Sequence, residues 1–365
     1  MKKLRVFAIN PGSTSTKIAL FEDEKVIFSK NIAHDETELK AFKTVPDQLG
    51  YRRDIIIAEL VKAGYTLTKI DVFSARGGGL ASCEGGVYEI NESLLHHARI
   101  GFTIMHPATL GSQLAHEFAQ RFGGKAFVVN PPDVDEFSVL SRITGFSDIF
   151  RESRIHALNH KEVGIRYASS LGKDYYDMNL IIAHIGGGLS VAAHQKGKMI
   201  DSNDNVQGDG PMAPTRAGAL PAASLIKLCF SGKYTEKELL DRVMKRGGWM
   251  DHLDTADGRA VNAMIAGGNN HAKLIMDATI YQISKVIGAC GVVLEGKAEA
   301  IILTGGLAHD AYLVSEIKRK TGFLAPVTVI AGEFEMEALA AGAIRVLRGI
   351  EDVKVYTGEP VWNGL

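Results

Sequence analysis

The sequence predicts an α/β protein made of two related halves, and three observations carry that prediction. A glycine- and serine-rich turn at residues 10–17 lies between short apolar runs. A second turn of the same kind lies at 184–190 between similar runs. After each, helical periodicity alternates with short β-type segments, the pattern of helices laid on a sheet. The 365 residues, 46% of them hydrophobic, are enough to bury two cores rather than one.

The first half opens with an apolar run at 6–9, which enters Asn10, Pro11, Gly12, Ser13, Thr14, Ser15, Thr16 and Lys17. It leaves through 18–21 and turns at Glu22, Asp23 and Glu24 into 26–28. Short β-type runs bounded by turn residues predict three consecutive antiparallel strands. A helix is expected over 54–63, a strand over 70–73, and a helix over 107–122 with Leu110, Leu114, Phe118 and Phe122 on one stripe. Another strand is expected over 126–129. In the second half, 180–183 enters His184, Ile185, Gly186, Gly187, Gly188, Leu189 and Ser190, leaves through 191–193 and turns at Gln195, Lys196 and Gly197 into 199–200. One offset, 184 − 10 = 174, lays Asn10 on His184, Gly12 on Gly186 and Thr16 on Ser190. A helix over 270–288, a strand over 300–303, a helix over 309–320, a strand over 327–330 and a helix over 335–347 complete the chain. Two halves built this way leave a cleft between them as the natural place for a ligand.

Composition narrows the function. Lysine and arginine number 41 against 42 aspartates and glutamates, so no net field favours nucleic acid or an anionic membrane. An anion site must therefore be local. The apolar run before Pro11 is too short for a signal-peptide core, and the apolar stretch over 286–307 is broken by Glu295, Lys297 and Glu299, so neither a leader nor a membrane helix is expected. Cys83, Cys229 and Cys290 form no CxxC pair, which argues against a disulfide framework or a cysteine zinc site. The cytoplasm is the expected compartment.

Both turns suit phosphate. Glycine allows close backbone approach, and the serines of the first turn add hydroxyl donors beside its backbone N–H groups. Neither turn is a P-loop or a dinucleotide fingerprint, because no GxxxxGK[ST] occurs and no GxGxxG opens a helix. Phosphoryl transfer also needs positive charge, a magnesium site and groups that align the acceptor. Arg76 precedes Gly77, Gly78 and Gly79, and Arg216 lies in the Pro/Gly-rich loop over 208–218. Asp133 and Asp135 follow the strand over 126–129, where a carboxylate could meet a metal or cap a helix. His156 and His160 share a helix face at the spacing of an HxxxH pair, open to a zinc, catalytic or buried hydrogen-bonded role. Asp251, Asp254 and Asp257 miss the spacing of a calcium loop and are expected to form a turn and a helix cap. Thr304, Gly305 and Gly306 fall between a strand and a helix, where a base or ribose could rest on bare backbone.

Taken in order, these motifs resemble the acetate and propionate kinase family, and within it the butyrate kinases. Asn10, Gly12, Ser13, Ser15 and Lys17 are similar to the family's first phosphate motif; His184, Gly186, Gly187, Gly188 and Ser190 to its second; Thr304, Gly305 and Gly306 to its adenosine motif. The resemblance implies the duplicated actin-like, ribonuclease H-like architecture, with residues 1–153 and 345–365 in one domain and 154–344 in the other. It implies ATP/ADP and Mg²⁺, with Arg76, Asp135, His156 and Arg216 as catalytic residues. Asn10, Asp135 and one of Glu333, Glu335 and Glu337, aligned best at Glu335, would serve the metal. Partners would be a short-chain carboxylate or acyl phosphate, with no nucleic acid and no membrane, in a homo-oligomer. The sequence has Ile155, His156, Ala157, Leu158, Asn159 and His160 where acetate kinases have FHGTSH, which points to butyrate as acceptor. Acetate, propionate or a branched acid is the alternative acceptor, and an ATP-switched binding protein is the alternative class.

Overall fold

The computed structural model describes residues 2–364 and divides into two compact units. One comprises the chain up to Asp135 together with Phe334 onward; the other runs from Glu136 to Glu333. These divisions differ from the expected 153 and 344, and packing explains the second difference. The helix Glu335–Leu347 belongs to the first unit because Ser74 Oγ donates to Leu339 O at 2.7 Å, and its Gly342 lies against Val129 and Val87.

The first unit holds a seven-stranded sheet of β1 (Arg5–Pro11), β2 (Ser15–Glu22), β3 (Lys25–Ala33), β4 (Val72–Ala75), β5 (Val87–Glu89), β6 (Lys125–Val129) and β12 (Val353–Val355), in the order β12-β5-β6-β4-β1-β2-β3. β1, β2 and β3 form the antiparallel meander, and β4 and β6 add in parallel on the other side of β1. Val6, Phe7, Ala8 and Ile9 are all fully buried, as a central strand covered on both faces requires. Phe7, Ile9, Phe73 and Val128 pack with Ile56 and Leu60 of Leu49–Lys62 and with Leu114 and Phe118 of Leu110–Phe122. Alternation sends Ser74 and Val129 to the opposite face, toward Glu335–Leu347. The strand expected over 70–73 starts instead at Val72: Lys69 has φ +65°, and the Asp71 carboxylate accepts from Arg5 N and Lys2.

The second unit repeats the plan with β7 (Asn179–Ile185), β8 (Leu189–Gln195), β9 (Lys198–Ser202), β10 (Ala300–Thr304) and β11 (Val327–Val329), ordered β11-β10-β7-β8-β9. Ile181, Ala183, Val191 and Ala193 face the helix Asn270–Val293 through Ile275, Ile280, Ile283 and Ile287. His184, Ser190 and His194 alternate to the other face, which carries the helix Ala157–Ser170. Buried Lys161 anchors that helix, its Nζ 2.9 Å from Glu136 and donating to Gly197 O at 2.8 Å.

The repeat is real, but its alignment needs a correction of one residue. In the first hairpin Asn10 pairs with Lys17; in the second His184 pairs with Ser190. The separations are 17 − 10 = 7 and 190 − 184 = 6, so the first turn carries one extra residue. Lys17, not Thr16, is therefore the counterpart of Ser190 across the strand pair. Thr16 faces the core with Ile18, as Leu189 does with Val191.

Candidate active site

Each unit presents a polar pair at the mouth of its hairpin, with the start of a helix beside it. In the first unit the pair is Asn10 and Lys17, and the helix start is Glu335, first residue of Glu335–Leu347. Asn10 Nδ2 donates to Glu335 Oε2 at 2.7 Å, Arg76 Nη1 donates to Glu335 Oε1 at 3.2 Å, and Lys17 Nζ lies 4.0 Å from Oε2. Of the three glutamates open on sequence, Glu335 is the one gathered with Asn10 and Arg76. Glu333 belongs to the second unit, where its Oε1 stands near Gly186.

The turn itself closes by Gly12 N donating to Ser15 O at 2.7 Å. Beneath it lies a residue that sequence reasoning missed. Arg52, wholly buried, donates to Gly12 O at 2.9 Å, Ser13 O at 3.4 Å, Ser15 O at 3.2 Å and Thr16 Oγ1 at 3.0 Å, while Gln48 Oε1 takes two further bonds. None of these partners is a carboxylate, and burial pulls the guanidinium down to about 10, so it still carries charge at neutrality. Thr16 in turn bonds His34 Nε2 at 2.8 Å. Ser13 Oγ lies 3.2 Å from His106 Nε2; burial, helped by the Arg76 and Arg52 charges, lowers this imidazole's pKa. Asp135 is buried, its N–H bonded to Cys83 O at 2.8 Å. Asp133 accepts from Thr103 Oγ1 at 2.8 Å rather than capping a helix.

In the second unit the pair is His184 and Ser190, and the helix start is His156, which precedes Ala157–Ser170. The His156 and His184 rings stack with centroids 4.0 Å apart. Thr304 Oγ1 donates to Gly332 O, so Asn159 Nδ2 must donate to it, and the same amide donates to His184 Nδ1 at 2.8 Å. A neutral His184 therefore carries its proton on Nε2, beside Gly186. His156 Nδ1 bonds Ser190 Oγ at 2.8 Å, and Ser190 Oγ also bonds His160 Nε2 at 2.9 Å. His160 thus serves a buried hydrogen-bonded role. Among the described residues no three His, Cys, Asp or Glu side chains gather to hold a metal.

Arg216 lies over the second turn. Its Nη1 donates to Asn205 Oδ1 at 3.1 Å, and a Cβ on Gly188 would stand 1.6 Å from that nitrogen and 2.3 Å from that oxygen. Gly188 is bare because this pair occupies the space a side chain would need. Thr215 Oγ1 donates to Gly187 O at 2.8 Å, tying the arginine loop to the turn. Gly305, at φ +87°, would clash at 2.5 Å with Ile185 O if it bore a Cβ, whereas Gly306 faces open space. Asp257 caps Gly258–Ala266 through Arg259 N, and Asp251 pairs with Arg242, as expected of a turn and cap.

The buried imidazoles give a stability prediction. Burial lowers His160 from 6.5 to about 3 and His34 to about 4. Between those values and 6.5 the unfolded chain binds protons that the folded chain refuses, so stability rises with pH across the window. Each histidine contributes a slope of up to about 1.4 kcal/mol per pH unit. The urea midpoint is expected to fall from pH 7 to pH 5; an unchanged midpoint contradicts the neutral, buried assignment.

The acetokinase family profile matches residues 144–325. Butyrate kinase 2 of Clostridium acetobutylicum is 42% identical over 354 residues, covering 97% of this chain and 99% of that protein. A probable butyrate kinase of Clostridium botulinum is 41% identical over 352 residues, with 96% and 99% covered. Acetate kinase of Porphyromonas gingivalis superposes with a TM-score of 0.76 at 19% identity, covering 94% of this chain and 100% of that one. Acetate kinase of Entamoeba histolytica gives 0.74 at 17%, covering 93% and 99%. Those structures identify the fold as the duplicated, actin-like α/β architecture. No helix among the described residues is long and apolar enough to cross a membrane. Identity above 40% along nearly the whole of both chains places the protein in the acetokinase family, as an ATP-using kinase.

Proposed function

We propose that the enzyme catalyses reversible, Mg²⁺-dependent phosphoryl transfer between ATP and a short-chain carboxylate, with butyrate as acceptor, giving butanoyl phosphate and ADP. The observation that carries this reading is the gathering of charge clamps at bare turns: Lys17 and Arg76 around Glu335, and Arg216 with His156 around Asn205. Phosphoryl transfer asks for such groups because negative charge spreads over the moving phosphoryl oxygens. Butyrate enters from the names of the relatives at 42% and 41% identity.

In this reading Asn10, Gly12, Ser13, Ser15 and Lys17, with His184, Gly186, Gly187 and Gly188, hold the phosphates, and the adenosine rests on Gly305 and Gly306. Arg76 and Arg216 clamp the acyl and phosphoryl groups, and His156 meets the transferring phosphoryl group. The acceptor carboxylate is ionised at neutrality, since carboxyl groups titrate near about 4, so its oxygen attacks without a general base. Asp135 then orients substrate or water rather than removing a proton. Mg²⁺ would be held by Asn10, Glu335 and Asp135 together with substrate phosphates, as this ion is usually bound by one or two carboxylates; the Glu335 carboxylate beside Asn10 supports that reading. When bound, the ion supplies positive charge against the phosphate oxygens. The enzyme works in the cytoplasm, as a homo-oligomer, on small-molecule partners alone.

Hydroxamate trapping across acetate, propionate, butyrate and branched acids tests the acceptor. Each carbon removed from butyrate is expected to lower kcat/KM by about tenfold or more. Acetate performing as well as butyrate would move the assignment to a shorter acid.

A further inference from the structure

We propose that Asn205 is a positioning residue that holds His156 and Arg216 together and keeps His156 as the Nδ1–H tautomer, backed by a buried chain of Ser190, His160, His194 and Tyr175. The proposal rests on the reading that His156 and Arg216 act on the phosphoryl group, and it adds the group that sets their geometry.

The directions of the bonds from Arg216 through Asn205 and His156 to Ser190 follow from the outer end. A guanidinium only donates, so the Asn205 atom 3.1 Å from Arg216 Nη1 must be the amide oxygen. The amide nitrogen then faces His156 Nε2 at 3.3 Å. That ring nitrogen must accept, and a neutral imidazole accepting at Nε2 carries its proton on Nδ1. His156 Nδ1–H donates to Ser190 Oγ at 2.8 Å, and Ser190 Oγ also bonds His160 Nε2 at 2.9 Å. His160 Nδ1 bonds His194 Nε2 at 3.2 Å, and His194 Nδ1 bonds Tyr175 Oη at 2.8 Å.

The chain is closed to water, since His160, His194 and Ser190 are fully buried and Tyr175 nearly so. Burial lowers the pKa of both inner imidazoles and raises that of the Tyr175 phenol, so all three stay uncharged near neutrality. Asn205 can reach both partners because Gly188 has no side chain beneath it. Its amide fixes the His156 ring and the Arg216 plane with a single group.

The test uses the full-length enzyme with ¹⁵N-labelled histidine, the His156 signals being assigned by their loss in His156→Gln. Wild type is expected to show a protonated Nδ1 and a bare Nε2 at His156. In Asn205→Asp the carboxylate can only accept, so Nε2 is expected to become protonated. Asn205→Ala is expected to lower kcat by about 10²-fold, as a small misplacement of reacting groups does, with KM for ATP within about threefold. A wild-type His156 protonated at Nε2, or Asn205→Ala with kcat within about threefold of wild type, would overturn the proposal. If wild type shows no acid-dependent turnover, the functional reading fails, and the nitrogen spectra of wild type and Asn205→Asp still decide whether Asn205 sets the tautomer.

Discussion

Arg216→Ala is expected to lower kcat by about 10³-fold or more, the scale of other arginines that clamp a transferring phosphoryl group. The guanidinium is half-buried over a turn of bare backbone, held at Nη1 by Asn205, with its buried Nε lacking a hydrogen-bond partner. Burial lowers its pKa, yet arginine remains charged, so a cation stands partly stripped of water where an anion can repay the loss. Arg216→Lys is expected to recover only part of the rate, because an ammonium lacks the planar fork. Steady-state kcat and KM with saturating acid and ATP provide the check. A near-normal kcat in Arg216→Ala removes the residue from the reaction.

The second large effect is expected at Arg52. Arg52→Met keeps the volume of the stem but takes the donors from Gly12 O, Ser13 O, Ser15 O and Thr16 Oγ1. Ser15 O keeps Gly12 N and Thr16 Oγ1 keeps His34, but Gly12 O and buried Gln48 Oε1 lose their donors; each such acceptor costs about 1–3 kcal/mol, so a loss of about 2 kcal/mol or more in stability is expected, with a raised KM for ATP. The second effect follows from the first: the turn over 10–17 has no other charged group among these bonds to hold its carbonyls inward. Urea unfolding gives the stability, and nucleotide titration gives the affinity. Stability unchanged within about 0.5 kcal/mol would show that the turn orders itself.

Much of this was legible in the sequence because it was written in local pattern. The two glycine turns, the Leu110, Leu114 and Phe118 stripe and the helix Glu335–Leu347 all follow from periodicity and turn chemistry over short windows. Distance along the chain hid the rest. Arg52 lies 52 − 12 = 40 positions from Gly12, and no spacing rule joins a helix arginine to a turn so far away. Asn205 sits in an irregular loop between Asn203 and Gly208, where nothing but the folded position of Arg216 marks it. The return of Glu335–Leu347 to the first unit depends on Ser74 and Gly342, single residues whose contact no periodicity announces. The strands β5 and β12, three residues each, are too short for alternation to show. The one-residue slip between the turns escaped for another reason: equal offsets in sequence need not mean equal pairing, and only the strand register shows that Lys17 stands where Ser190 stands. Thr235 and Glu238 are a capping box opening Glu236–Met244, and that spacing is visible in the sequence.

In the proposed reaction the γ-phosphoryl group of ATP passes to a carboxylate. Phosphorus NMR of the enzyme with ATP, Mg²⁺ and butyrate measures it directly: an acyl phosphate resonance is expected to grow with ADP in equal amounts, and both are expected to stop when butyrate is left out. ADP accompanied by inorganic phosphate, at a rate indifferent to butyrate, would contradict the account and leave an ATP-hydrolysing switch in its place.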